Sequence, residues 1–507
     1  MAATCVMGID VGTSGCKVLL LNETGEILCS VMEEYPLYTP QAGWSEQDPE
    51  DWWQGVIRAV GRLRGKLEGR TLAGIGLSGQ MHGMTALDEN FRVVRRAILW
   101  NDQRTAAQCA EITAAAGGLQ GLLACTNNPM LTGFTGGKIL WMKQSEPENY
   151  AKTRLILNPK DYIRFRLSGV CCTEVSDASG TGLFDVKNRR WHTGLMETIG
   201  LSPALFPPVH ESTEITARVS EEAARLLGIQ PGVPIAGGGG DAVISTTGLG
   251  LAKPGRVGVT LGTSGVAAMG LSGYIDNPRG ALQISCGNAP GSYHAMGVTL
   301  AAAGSYQWFK DTFGDYEAAA EQAGGKNAFM QLDALAAGTP AGADGLIFLP
   351  YLTGERCPVN DPAARGAFLG LTLLHKKGHF ARAVLEGVAF SLKQVYDLVR
   401  SADPSACADE IVLAGGGAKS PVWRQIFADV FGAPVRTVYG SAEGGSFGAA
   451  LVAGVSVGFW QTLEAAAGVI RSESETLPNP GTAEIYRVQY DIYTRMYDAL
   501  KWSFPAR

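Results

Sequence analysis

The feature that most constrains this chain is a short motif that it carries twice. Ile9-Asp10-Val11-Gly12-Thr13-Ser14-Gly15 near the start is answered by Val259-Thr260-Leu261-Gly262-Thr263-Ser264-Gly265, 250 residues later. In both, β-branched residues lead into Gly-Thr-Ser-Gly and a second apolar run follows, Lys17 to Leu21 in one case and Val266 to Met269 in the other. The pattern predicts strand, tight turn, strand. The tip of such a hairpin offers hydroxyls and closely spaced N–H groups, and glycine lets an anion approach the backbone. Two such tips predict two related domains that face each other across a nucleotide; two ordinary glycine turns are the competing reading.

Composition narrows the class. A chain of 507 residues has room for about two to four domains. Hydrophobic residues make up 46%, charged residues 18%, and there are 66 glycines, which describes a turn-rich globular chain and not a disordered one. The net charge is −6 and no Lys/Arg block occurs, which argues against nucleic-acid or anionic-membrane partners. No basic segment followed by a long apolar run opens the chain, so no signal peptide is expected. No apolar stretch reaches the ~18 residues of a membrane span. The 10 cysteines are scattered without Cys-x-x-Cys pairs, which predicts free thiols, a cytoplasmic location and no zinc site.

Along the chain, Val6–Asp10, Cys16–Leu21 and Glu26–Tyr35 read as strands. Asp48-Pro49-Glu50-Asp51 reads as a capped helix start ahead of Trp52, Trp53, Val56 and Val60, and a strand over Leu72–Leu77 follows. Strand, helix, strand in this order implies an α/β domain. Pro234-Ile235-Ala236 leads into four glycines and Asp241 just ahead of the second tip. A second α/β unit then offers a helix from His379 to about Val399, a strand Glu410–Leu413, the loop Ala414 to Ala418, and a helix opening at Ser420-Pro421. A closing helix is expected over roughly 480–501.

Several residues stand where chemistry needs them. Asp10 beside the first tip suits a phosphate cradle once Mg²⁺ intervenes; a turn-forming aspartate is the alternative. Lys17 suits a phosphate or a solvated strand. Asp241 beyond its glycine run is placed to accept a proton from an attacking hydroxyl, or to cap a helix. Gly415-Gly416-Gly417 between strand and helix looks like a nucleotide-binding turn, with Ser420 as ligand or as helix cap. Met81-His82, on a loop after a strand, and Trp100-Asn101-Asp102-Gln103-Arg104 offer donors and acceptors for a polyhydroxylated ligand, while Trp44 is a candidate to stack on a sugar.

These pieces together resemble the FGGY carbohydrate kinases of the actin/Hsp70/sugar-kinase superfamily, from Met7 to about Gly458. The most specific element is Gly366-Ala367-Phe368-Leu369-Gly370-Leu371, seven residues, then His379-Phe380-Ala381-Arg382-Ala383-Val384-Leu385-Glu386. Thr135, Lys138, Ile139, Trp141 and Gln144 fit the family's other pattern, with Ser145 departing from it. The segments Ser78 to Gly83 and Ile98 to Thr105, with Trp423 and Gln425 beyond the Gly415 loop, are similar to those of members acting on xylulose. The resemblance implies an α/β fold of two actin-like (ribonuclease H-like) domains around a central ligand cleft. Residues 1–245 would bind sugar and residues 246–507 ATP, with the last helix free to pack on either. It implies ATP and Mg²⁺ as cofactors and a ketopentose as acceptor, most closely D-xylulose phosphorylated at its 5-hydroxyl. Asp241 would be the proton acceptor and Asp10 the residue near Mg²⁺; Met81, His82, Asp102 and Asp241 would meet the sugar. Thr13, Ser14, Lys17, Gly262, Thr263, Gly415, Gly416, Gly417 and Ser420 would meet ATP. Ala242 stands where some relatives carry a sugar-reaching amide. A homodimer is left open. The alternatives are a kinase of the same fold for ribulose, a deoxyketose or glycerol, and an ATPase switch with a separate peptide-binding domain. The late position of the 366–386 pattern leaves too little chain for such a domain.

Overall fold

Both repeated segments form hairpins, and each founds a sheet. In the computed structural model, which describes residues 3–504, strand β1 (Ala3–Val11) turns back into β2 (Gly15–Asn22) and then β3 (Ile27–Glu34). Helix α1 (Pro49–Leu67) carries the chain to β4 (Arg70–Gly79), parallel to β1. After a helical excursion, β5 (Ile215–Arg218) and β6 (Pro234–Ala236) extend the sheet, and β7 (Gly239–Gly240) pairs with the end of β4. The order is β5-β6-β4-β1-β2-β3.

Helix α2 (Asp241–Gly248) leads into the second sheet. Its strands are β8 (Arg256–Leu261), β9 (Gly265–Leu271), β10 (Gln283–Cys286) and β11 (Tyr293–Thr299). Helix α3 (Lys377–Ala402), β12 (Glu410–Ala414), α4 (Pro421–Phe431), β13 (Val435–Val438), α5 (Gly445–Ser456), β14 (Ser472–Thr476) and α6 (Ala483–Leu500) follow. The order is β10-β11-β9-β8-β12-β13-β14. The repeat therefore extends well beyond the tips. In β3-β2-β1-β4-β6 and in β11-β9-β8-β12-β13 alike, two antiparallel pairings are followed by two parallel ones.

Local chemistry sets the helix starts. Asp48 accepts from the Glu50 N–H at 2.9 Å, with proline next, and Trp52, Trp53, Val56 and Val60 then pack on one face of the first sheet with Met7 and Ile9. Because side chains alternate along a strand, Val6, Leu19 and Leu21 point the other way, onto Phe447, Ala450 and Leu451 of α5. Helix α5 belongs to the later part of the chain, yet it covers the first sheet. It fits because glycines leave room. A β-carbon on Gly8 would fall 1.9 Å from the Ser446 carbonyl oxygen, one on Gly76 1.9 Å from that of Ala449, and one on Gly448 1.9 Å from that of Ile244 in α2. Helices α2 and α5 thus cross in backbone contact between the two sheets.

Helix α6 packs on α3 and α4, and its Tyr486, Tyr493 and Met496 join the core of the second half, so the option of packing back on the first half is not taken. The 10 cysteines are free thiols. Among the described residues no helix is long and apolar enough to cross a membrane.

Candidate active site

The glycine run and the first tip bring two carboxylates to the same end of the cleft. Asp241 is the first residue of α2, and its Oδ1 accepts from the N–H groups of Met81 (3.2 Å) and Ala242 (2.8 Å). Oδ2 has no partner among the described residues. Asp10 accepts from the Ser78 hydroxyl at 2.7 Å through Oδ1. Burial, and then the charge of Asp10, push the Asp241 carboxyl up to about 7, against the pull of its two N–H donors. Burial raises Asp10 as well, opposed by the Ser78 hydrogen bond and by Lys17, its cross-strand partner. A carboxylate with one free oxygen and a pKa near neutrality has the properties of a general base.

Residues 81 and 82 flank this base. His82 takes a left-handed φ of 69°, its ring stacks on Phe134 with centroids 4.7 Å apart, and its Nδ1 lies 2.5 Å from the Gly180 carbonyl oxygen. A carbonyl only accepts, so Nδ1 carries the proton and Nε2 is left as an acceptor. Burial, helped by the Lys138 charge, holds the imidazole neutral by lowering its pKa to about 3. Lys138 and Thr135 both donate to the His82 carbonyl oxygen, at 2.7 and 3.1 Å, which fixes the loop. Met81, His82, Phe134, Ala242 and Val243 line one small pocket, closed from the second half by Ser285 and Met296.

The Trp100–Arg104 cluster divides. The Asp102 carboxylate is buried and receives Arg104 Nε and Nη2 at 2.9 and 2.7 Å and the Ser45 N–H at 2.6 Å. Arg104 in turn lies 3.6 Å over the Trp44 ring. Trp44 therefore stacks on a guanidinium where the sequence offered a sugar. Trp100 is half exposed and its Nε1–H donates to the Thr13 hydroxyl at 2.9 Å; Gln80 and Gln47 continue the network, with Gln47 donating to the Thr13 carbonyl oxygen at 2.7 Å. The Trp100 loop and the first tip are thus one hydrogen-bonded unit. Ser14 is exposed at the tip, and Lys17 donates to the Ala442 carbonyl oxygen at 2.8 Å, 3.5 Å from Glu443.

The second tip is braced by the helix start behind it. The N–H groups of Ala302 and Ala303 reach the carbonyl oxygens of Thr263 and Gly262, both at 2.9 Å. Gly415, at φ 84°, and Gly417 lie against Leu261, where β-carbons would approach to 2.6 and 2.7 Å of their neighbours, while Gly416 faces open space. Beside them is a cavity of about 730 Å³ lined by Thr263, Tyr306, Phe329, Met330, Pro421 and Trp423, with Asp333 at its polar edge. Ser420 lines this cavity and also caps α4, its hydroxyl accepting from the Trp423 N–H at 3.2 Å. A flat apolar slot beside a glycine turn and a hairpin tip has the form of a nucleotide site.

The halves of the chain match, in turn, the N-terminal domain of the FGGY family of carbohydrate kinases over residues 5–248 and the C-terminal domain over residues 257–457. The chain belongs to the FGGY family of carbohydrate kinases. As an FGGY kinase it is 37% identical to the xylulose kinase of Bacillus subtilis (strain 168), across 98% of this chain and 97% of that one. The crystal structure of xylulose kinase from Rhodospirillum rubrum superposes with a TM-score of 0.90 at 28% identity, covering 98% of this chain and 99% of that one. That of gluconate kinase from Lactobacillus acidophilus does so with the same TM-score and identity over 99% of each. The fold is the two-domain actin-like one of sugar kinases.

Sequence reasoning gave Ser78 no role of its own and passed over Asn288 and the slot residues Tyr306, Phe329 and Asp333. Asn288 bonds Ser212 at 3.0 Å and Thr247 at 2.9 Å, tying a loop of the second half to the first half and to α2. No local pattern announces these residues. Their partners are far away in sequence.

Proposed function

We propose that this FGGY kinase transfers the γ-phosphoryl group of ATP to O5 of D-xylulose, giving D-xylulose 5-phosphate and ADP. The observation that carries the substrate is the 37% identity to a xylulose kinase over nearly the whole of both chains. The geometry supports the chemistry. The sugar sits in the pocket of Met81 and His82, with neutral His82 Nε2 accepting from a hydroxyl. The free Oδ2 of Asp241 takes the O5 proton as the O5–phosphorus bond forms. The bond from phosphorus to the bridging oxygen breaks, and ADP leaves with its electron pair. The adenine lies in the slot beside Trp423 and Phe329, with the Gly415–Gly417 turn, Gly262, Thr263 and Ser420 around the nucleotide. Thr13 and Ser14 approach the phosphates from the first half, and Lys17 joins them on release from Ala442 and Glu443. The division at residues 245 and 246 separates the sugar side from the nucleotide side. Asp102 serves the sugar side by ordering the loop that carries Trp100.

Asp10 is the residue that would hold Mg²⁺. Its Oδ2 is uncommitted, and among the described residues no cluster of three or more His, Cys, Asp or Glu forms a protein cage. One carboxylate fits an ion whose remaining ligands are phosphate oxygens and waters. When bound, the ion supplies positive charge to those phosphates.

ADP release measured with D-xylulose, D-ribulose, glycerol and gluconate tests the proposal. D-xylulose should give the highest kcat/KM, by about 10²-fold, because a misplaced hydroxyl leaves buried polar groups unpaired. A higher value with gluconate or another acceptor overturns the substrate.

A further inference from the structure

The cations around the cleft are almost all engaged. Lys17 is held by Ala442 and Glu443, Lys138 by two carbonyl oxygens, Arg104 by Asp102 and Glu46, and Lys160 by Asp161 and Asp177. Lys419 lines the nucleotide slot. Arg356 is different. It is exposed, and among the described residues its guanidinium has no carboxylate or carbonyl partner.

Its backbone, by contrast, is fixed on every side. Glu355 is buried, and its carboxylate accepts from the Leu300 N–H at 3.0 Å, the Arg356 N–H at 2.7 Å and the Thr299 hydroxyl. The Cys357 N–H donates to the Val298 carbonyl oxygen at 3.2 Å, and the Asn360 N–H to that of Arg356 at 2.8 Å. Thr299 ends β11, whose Met296 closes the sugar pocket, and Ala302 just beyond braces the Thr263 tip. One loop thus supports the phosphate-side tip and carries an arginine whose guanidinium has no protein anion among the described residues. The positive charge of Arg356 also adds, after burial and Lys138, to the lowering of the His82 imidazole pKa. A flexible arginine on a rigid base, with no protein anion to satisfy it, is suited to a ligand anion that arrives with substrate.

We infer that Arg356 binds the phosphoryl group in flight between ATP and the sugar hydroxyl. The inference rests on the kinase reading above. As the O5–phosphorus bond forms and the bond to the bridging oxygen of ADP breaks, charge spreads over the three equatorial oxygens, and the guanidinium fork donates to them. The proton goes to Asp241, and the electron pair leaves with ADP. Arg356 then holds the new phosphate monoester until the product departs. Because it stands on the second half, it reaches the phosphoryl group with the cleft closed around sugar, which ties transfer to the presence of an acceptor.

The experiment compares the wild-type protein with Arg356→Gln and Arg356→Lys, using the acceptor on which the wild type is most active. Steady-state rates are set beside calorimetric binding of that acceptor and of its phosphate ester. For Arg356→Gln, kcat should fall by about 10²-fold or more, acceptor affinity should stay within about twofold, and affinity for the phosphate ester should drop at least about tenfold. Arg356→Lys should recover part of kcat, since it restores charge without the fork. A kcat for Arg356→Gln within about threefold of wild type, or ester binding unchanged while acceptor binding weakens, overturns the role of Arg356. A wrong sugar in the parent reading shows instead in the wild-type rates, before any variant is made. Retained acceptor binding shows that the variants are folded.

Discussion

Asp241 commits one oxygen to two backbone N–H groups, which fix its position and hold its pKa down, and keeps the other free. Burial and the neighbouring Asp10 charge raise its pKa to about 7. A raised carboxylate pKa means that the group is protonated, and useless as a base, on the acid side. The kcat/KM of the free enzyme should therefore fall about tenfold per unit below pH 7. Asp10→Asn removes the like charge and should move that limb to lower pH; a limb that stays in place shows that burial alone sets it. Asp241→Asn should lose about 10²- to 10⁴-fold in kcat with little change in sugar affinity. A variant that keeps more than half of wild-type kcat excludes Asp241 as the base. The places of Asp10 and Asp241 were legible in the sequence because one ends a strand at the Gly-Thr-Ser-Gly tip and the other follows four glycines. The tautomer of His82 was not, since it depends on Gly180, a residue on another loop that nothing near position 82 announces. Asp102 was read as a residue that would meet the sugar; its pairing with Arg104 was not legible, because a sequence does not say which way such a side chain folds.

Among the elements, α5 is the least conspicuous in the sequence and the most consequential in the fold. Its start, Gly445-Ser446-Phe447-Gly448-Ala449-Ala450, reads only as small residues around one phenylalanine. In three dimensions those residues let backbone meet backbone on two sides. Gly76→Ala would set a methyl group 1.9 Å from the Ala449 carbonyl oxygen, with no flexible side chain to give way. It should destabilise the protein by about 3 kcal/mol. Urea unfolding followed by tryptophan fluorescence checks this, and an unchanged first transition would mean that the helix shifts without cost. The regular elements were easier to read. Asp48-Pro49 marked the start of α1, and apolar, β-branched runs on either side of a glycine turn marked β1 and β2, because both signals are local. The two-residue strands and the pairing of β6 with β4 depend on tertiary neighbours and left no such trace.

The whole molecule is a duplication with an articulation in its middle. The repeated Gly-Thr-Ser-Gly was enough to anticipate two facing halves, and the shared strand order carries that likeness through five strands on each side. Where α6 packs was not legible, because its apolar face would suit either core. In the proposed reading the sugar and nucleotide sites lie on different halves, joined through α2 and its crossing with α5, so binding both should close the cleft. Small-angle scattering with D-xylulose and a non-hydrolysable ATP analogue should show a smaller radius of gyration than the free protein. An unchanged value at proven saturation would exclude closure.

The placement of α5 also bears on how the chain is made. The first sheet is complete once residue 240 has been synthesised, but the helix that covers its second face comprises residues 445–456. A nascent chain leaving the ribosome therefore holds Val6, Leu19 and Leu21 against water while some two hundred further residues are added. The amino-terminal half cannot reach its final packing during translation, however early its strands pair, and a fragment ending near residue 248 would keep that apolar face bare for good.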